Sequence, residues 1–97
     1  MSIKLRIIDS AQITHDLLIR YPDVAKKYKG VGLLLILEHA AVPISELPRQ
    51  SDAIVRPPNG AEFNVKITSS EQNRGSTFLF LDAYDGPPII RDSEIMW

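Results

Sequence analysis

The spacing of apolar residues changes near Pro43, and this change constrains the fold more than any other feature of the sequence. Before Pro43, apolar side chains recur at intervals of about three to four residues, which is typical of a helix with one buried face. After it, residues 61–67 alternate between apolar and polar side chains, which is typical of a strand with one buried face. The pattern therefore predicts helices followed by an antiparallel sheet.

The N-terminal region predicts a strand and then a helix. Residues 2–8 alternate between polar and apolar side chains, as a half-buried strand does. Asp9 and Gln12 resemble a helix-capping pair, so we expect a helix from Asp9 to about Arg20. No long apolar core follows the first methionine, so a signal peptide is not expected.

Pro22 marks a break in the helical region. Proline lacks an amide hydrogen, yet it fits the first position of a helix. The apolar stripe continues in phase to Tyr28, which favours a kinked pair of helices that ends near Gly30.

Residues 31–41 leave two interpretations open. Leu33 to Leu37 are apolar on every side, so periodicity does not separate a buried helix from a buried strand. Leucine and alanine favour a helix, which we take first. The short run and its flanking glycines favour a strand, and residues 2–38 would then form a βαβ unit with a parallel pair.

The second half contains clearer strand signals. Pro57 to Gly60 has the composition of a hairpin loop, and Ser69 to Gly75 is polar enough to predict a second turn. We expect strands over 53–56, 61–68 and 77–84, a short edge strand over 88–91, and a helical turn over 44–47.

The predicted fold class is α+β, with residues 1–97 in a single domain. An N-terminal strand and two to three helices pack on an antiparallel sheet of three to four strands.

Composition argues against several function classes. The net charge of −1 provides no field that would attract nucleic acid or an anionic membrane. The absence of cysteine excludes disulfides and thiolate metal sites, and it favours a cytoplasmic location. The longest apolar run, Val31–Leu37, is far shorter than the roughly 20 residues that span a bilayer.

Recognisable catalytic motifs are absent from the sequence. It has no phosphate-binding glycine loop, no nucleophile elbow and no zinc-protease helix motif. Its two histidines, His15 and His39, are isolated from each other in sequence. We therefore expect no enzymatic activity, no cofactor and no metal site.

Strand 77–84 and the C-terminal residues are the strongest binding candidates. Phe78 and Phe80 point to one side of that strand and Leu79 and Leu81 to the other, so both faces need cover. The helices cover one face. The other is covered by the chain itself or by another chain, and residues 95–97 likewise pack into the core or anchor a partner.

The leading hypothesis is a non-enzymatic protein-binding module: an assembly subunit, a homo-oligomer or an inhibitor. Phage and mobile-element accessory proteins have this character, which would place it in a host cytoplasm. The candidate binding residues are apolar anchors with a polar rim: Ile95, Met96, Trp97, Phe78, Phe80, Asn73, Arg74, Asp85 and Arg91.

Two alternatives remain. One is a small-ligand or nucleotide binder whose loop arginines hold an anion; these are Arg49, Arg56, Arg74 and Arg91. The other is a small hydrolase or isomerase whose acid and base residues are separated in sequence.

Overall fold

Two four-stranded antiparallel sheets form most of the protein, as a computed structural model shows for residues 4–6, 9–11, 19–27, 33–37, 40 and 42–97. The first sheet has the order β1-β8-β4-β5 and the second β2-β3-β7-β6. The strands are β1 (Lys4–Arg6), β2 (Asp9–Ala11), β3 (Leu33–Leu37), β4 (Ser51–Arg56), β5 (Phe63–Ile67), β6 (Ser69–Asn73), β7 (Ser76–Leu81) and β8 (Glu94–Met96). A helix, α1 (Pro22–Lys27), and a 3-10 turn, Ile44–Glu46, accompany them in the described ranges, where residues 19–20 are also helical.

The two sheets are joined at Thr68. Thr68 separates β5 from β6, and its N–H and hydroxyl donate to the Phe80 carbonyl of β7 at 2.8 and 2.9 Å. The chain therefore leaves β4 and joins β7 at this residue. In the sequence, β1 of the first sheet is followed after two residues by β2 of the second. The two sheets share one hydrophobic core, as in a β-sandwich.

Two hydrophobic cores lie on opposite sides of the second sheet. The larger core fills the space between the sheets and contains Leu35, Leu37, Ala53, Val55, Val65, Ile67, Leu79, Leu81, Ile89 and Ile95. The smaller core lies beneath α1 and contains Tyr21, Val24, Leu34, Ile36 and Phe78. The Tyr21 and Phe78 rings meet edge to face, with centroids 4.9 Å apart.

The α+β prediction is wrong, and residues 33–37 account for much of the error. They form β3, which pairs antiparallel with both β2 and β7, so the helix and the parallel βαβ unit are both overturned. Leu35 and Leu37 enter the larger core, whereas Leu34 and Ile36 enter the smaller one. A strand buried on both faces loses the polar alternation that would identify it.

Other predicted elements are displaced. Asp9, expected to begin a helix, is in β2 opposite Ile36, and most of the expected helix lies outside the described residues. The expected polar turn at 69–75 is largely β6, and β7 ends at Leu81 rather than at residue 84. Residues 88–91 form no strand; the last strand is β8.

Several local predictions are confirmed. Pro22 is the first residue of α1, and a 3-10 turn occupies most of the expected helical turn at 44–47. Residues 57–60 lie in the connection between the antiparallel strands β4 and β5. In each case the neighbouring residues carry the signal that predicted the feature.

The hairpin between β6 and β7 has a tight two-residue loop. Asn73 pairs with Ser76, and Arg74 and Gly75 between them have φ values of 52° and 78°. Positive φ at both central residues defines a type I′ turn, whose twist matches that of the strands.

Gly75→Ala is expected to lower the free energy of unfolding by about 1–2 kcal/mol, because an L residue is strained in the left-handed region. A Cβ there meets no atom within 4 Å, so backbone conformation is the cause. Gly60→Ala is the matched control, because its Cβ would meet Pro57 at an ordinary 3.7 Å. Urea denaturation measures both; equal losses would contradict the turn assignment.

Phe78→Ala is expected to cost about 3–5 kcal/mol, because the ring is fully buried beneath α1. Phe80→Ala is the comparison, since Phe80 is only partly buried at the edge of the same core, and its loss should be clearly smaller. Denaturation followed by Trp97 fluorescence gives both values. A Phe80 loss equal to that of Phe78 would contradict this packing.

Candidate functional site

The outward face of the first sheet carries a small apolar patch. In β4, Ala53 and Val55 point into the larger core, so the residues between and beside them point to solvent. Ile54 is one of these, with 37% of its surface exposed. It lies opposite Met96 of β8, and Trp97 follows Met96. We call Ile54, Met96 and Trp97 the outer patch.

The outer patch lines a concavity of about 380 Å³. Its other lining residues are Asp52, Ala53 and Asn64. Asn64 lies opposite Ile54 on the β5 side, so Ile54 stands in the middle of a cross-strand row. The concavity therefore combines an apolar floor with polar groups at its border.

Trp97 is held in a defined position. Its indole N–H donates to the Glu46 carbonyl at 3.0 Å, and the ring packs against the larger core while remaining partly exposed. A fixed aromatic side chain loses little conformational entropy on binding, which suits a contact residue.

Charged residues flank the outer patch. Asp52 lies opposite Lys66, and both are exposed. On the other side, an Arg56 Nη2 lies 2.8 Å from Glu62 Oε1, and Nη1 lies 3.7 Å from Glu94 Oε2. Arg56 is thus balanced by two carboxylates and is not a free anion-binding group.

The nine predicted binding residues do not form one site. Met96 and Trp97 lie together on the outer patch, whereas Phe78 and Ile95 are fully buried in the chain's own cores. The others are dispersed: Phe80 at the edge of the smaller core, Asn73 and Arg74 at the β6–β7 hairpin, and Asp85 and Arg91 on the loop between β7 and β8.

Ile54 was not predicted as a site residue. It occupies a position in β4 between Asp52 and Arg56, where the alternation calls for a polar side chain. An apolar residue at this outward position is visible in the sequence. It identifies a surface patch only once the structure places Met96 of β8 beside it.

Arg74 takes part in the packing of α1. Its Nη1 donates to the Arg20 carbonyl at 2.8 Å, and Lys27 Nζ lies 2.8 Å from Glu71 Oε2. The hydrogen bond and charge of Glu71 raise the pKa of Lys27. These contacts attach the ends of the helical region to β6 and its hairpin.

The loop after β7 is organised by Tyr84. Its ring packs against the larger core, and its hydroxyl donates to the Pro87 carbonyl. A Cβ on Gly86 would lie 2.8 Å from that hydroxyl, so only glycine fits there without displacing the ring. Burial, and to a lesser degree Asp85, raises the pKa of Tyr84.

Comparison with known proteins gives no match to any family model, any curated protein or any solved structure. In the described ranges, no group of three or more potential metal ligands is present. No helix among those residues is long and apolar enough to cross a membrane.

Tyr84 should titrate above the ordinary tyrosine pKa of about 10. Because folding favours its neutral form, the unfolded chain ionises first, and Tyr84 destabilises the fold as pH rises above about 10. Tyr84→Phe should reduce the loss of stability between pH 9 and about 11, measured by urea denaturation. An unchanged pH dependence would contradict this role.

Proposed function

We propose that this chain is a non-enzymatic protein-binding module and that the outer patch is its contact surface. The observation that supports the proposal is the row formed by Ile54 and Met96, because the other outward positions of β4, β5 and β8 carry polar or charged residues. Apolar centres with polar rims are typical of protein interfaces.

The size of the patch indicates the kind of contact. Three apolar side chains and a concavity of about 380 Å³ are suited to one or two anchoring side chains of a partner. An obligate interface buries upwards of about 2,000 Å² in total, which requires many more contact residues than these three. We infer a reversible contact with a partner protein, as for an assembly subunit or an inhibitor.

The binding surface is smaller than the one predicted from the sequence. Phe78 and Ile95 serve as core residues and would be exposed only by unfolding. Met96 and Trp97 retain the proposed anchoring role, and Ile54 joins them.

A photo-crosslinking amino acid at Asn64, beside Ile54, should capture a protein in the native host, whereas the same probe at exposed Asp82 should not. Ile54→Glu should abolish the crosslink at Asn64, because binding of the partner would bury the new carboxylate without a compensating charge. Mass spectrometry of the adduct identifies the captured chain, whether another protein or a second copy. Adducts of equal yield at both positions, or none at Asn64, would contradict the proposal.

A further inference from the structure

The two strands β4 and β5 separate at Thr68, and this fork opens a second concavity. Ser51 pairs with Ile67, but the next residue, Thr68, bonds to β7 instead of continuing along β4. The connector residues Arg49 and Gln50 therefore lie beside the diverging strand. The resulting concavity measures about 430 Å³ and is lined by Arg49, Gln50, Thr68, Ser69 and Ser70.

This concavity is rich in hydrogen-bond donors. Arg49, Gln50 and Ser69 have exposed side chains with no hydrogen-bond or ion-pair partner in the described part of the chain. Together they offer a guanidinium, an amide NH₂ and a hydroxyl. No carboxylate is among the lining residues, so the arginine charge is not neutralised there.

The two remaining hydroxyls are fixed in place. Thr68 donates to the Phe80 carbonyl, and Ser70 donates to the Pro48 carbonyl. The Thr68 bond fixes the diverging strand to β7, and the Ser70 bond fixes the connector to β6. A ligand would therefore meet backbone walls that are already in place, and only the exposed side chains of Arg49, Gln50 and Ser69 would be ordered on binding.

Gln50 provides an independent indication of function. Its φ of 45° lies in the left-handed region, which is unfavourable for residues other than glycine. The other described non-glycine residues with positive φ, Arg74, Ala83 and Asp92, lie in turns, whereas Gln50 lies in a bend at this concavity. Strained backbone conformations concentrate at binding sites.

The geometry points to a site for a small phosphorylated molecule, with its phosphate held by Arg49, Gln50 and Ser69. A guanidinium matches phosphate oxygens with two parallel donors, and the amide and hydroxyl add neutral donors. The volume falls within the range of small-molecule sites, which leaves space for an organic group beyond the phosphate. This site is separate from the outer patch and does not depend on the proposed function.

The test is a titration of the ¹⁵N-labelled chain with inorganic phosphate at constant ionic strength, followed by amide chemical shifts. Saturable shifts are expected at residues 49–50 and 68–70. Arg49→Gln should weaken phosphate binding by about tenfold or more, because a charged bidentate contact is lost. Arg91→Gln is the matched control, since Arg91 is also exposed, and it should leave the affinity unchanged.

A second variant addresses the strain at Gln50. Gln50→Gly should raise the thermal midpoint while weakening phosphate binding, because it relieves the left-handed conformation and removes the amide donor. Ile54→Glu should bind phosphate as the unaltered chain does, which distinguishes this site from the outer patch. Shifts of equal size with acetate, or an affinity that neither Arg49→Gln nor Gln50→Gly changes, would overturn the assignment.

Discussion

The pairing of β3 with β7 is the interaction on which the rest of the structure depends, because both strands are buried on both faces. Leu35 pairs with Leu79 and Ile36 with Phe78, so each successive pair faces the opposite core. The two strands thus supply four of the ten buried residues of the larger core and most of the surface on which α1 packs. Loss of this pairing would therefore disrupt the packing of both cores.

A ladder that is apolar on both faces does not fix its own register. If β3 shifted by one residue against β7, its side chains would change faces, and apolar residues would still fill both cores. The same shift in a half-buried strand would move its apolar side chains into solvent. The type I′ turn at Arg74 and Gly75 fixes β6 against β7. At the end of the ladder, the Thr77 hydroxyl donates to the Ala40 carbonyl at 2.5 Å. The turn therefore sets the β6–β7 register, and the Thr77–Ala40 hydrogen bond is a polar contact at the end of the β3–β7 pairing.

The irregular connector between β3 and β4 is fastened by side chains of the sheets. Buried carbonyls outside regular structure need donors, and four side chains provide them. They are Thr77 to Ala40, Gln72 to Val42, Ser70 to Pro48 and Trp97 to Glu46. The same contacts position both proposed sites: Trp97 is fixed on the outer patch, and the connector is fixed beside the fork at Thr68.

The sequence by itself determined the local features, because their causes lie within a few residues. Pro22 at the start of α1, the 3-10 turn at Ile44–Glu46 and the β4–β5 hairpin were all predicted from neighbouring residues. It also indicated that strand 77–84 needed cover on both faces, although not that the first sheet would supply it. The tertiary structure decided which apolar segments pair, because a fully buried strand and a buried helix have the same hydrophobic pattern. It also brought Ile54 beside Met96 and Arg49 beside Ser69, since the register between distant strands, rather than local sequence, places these side chains together.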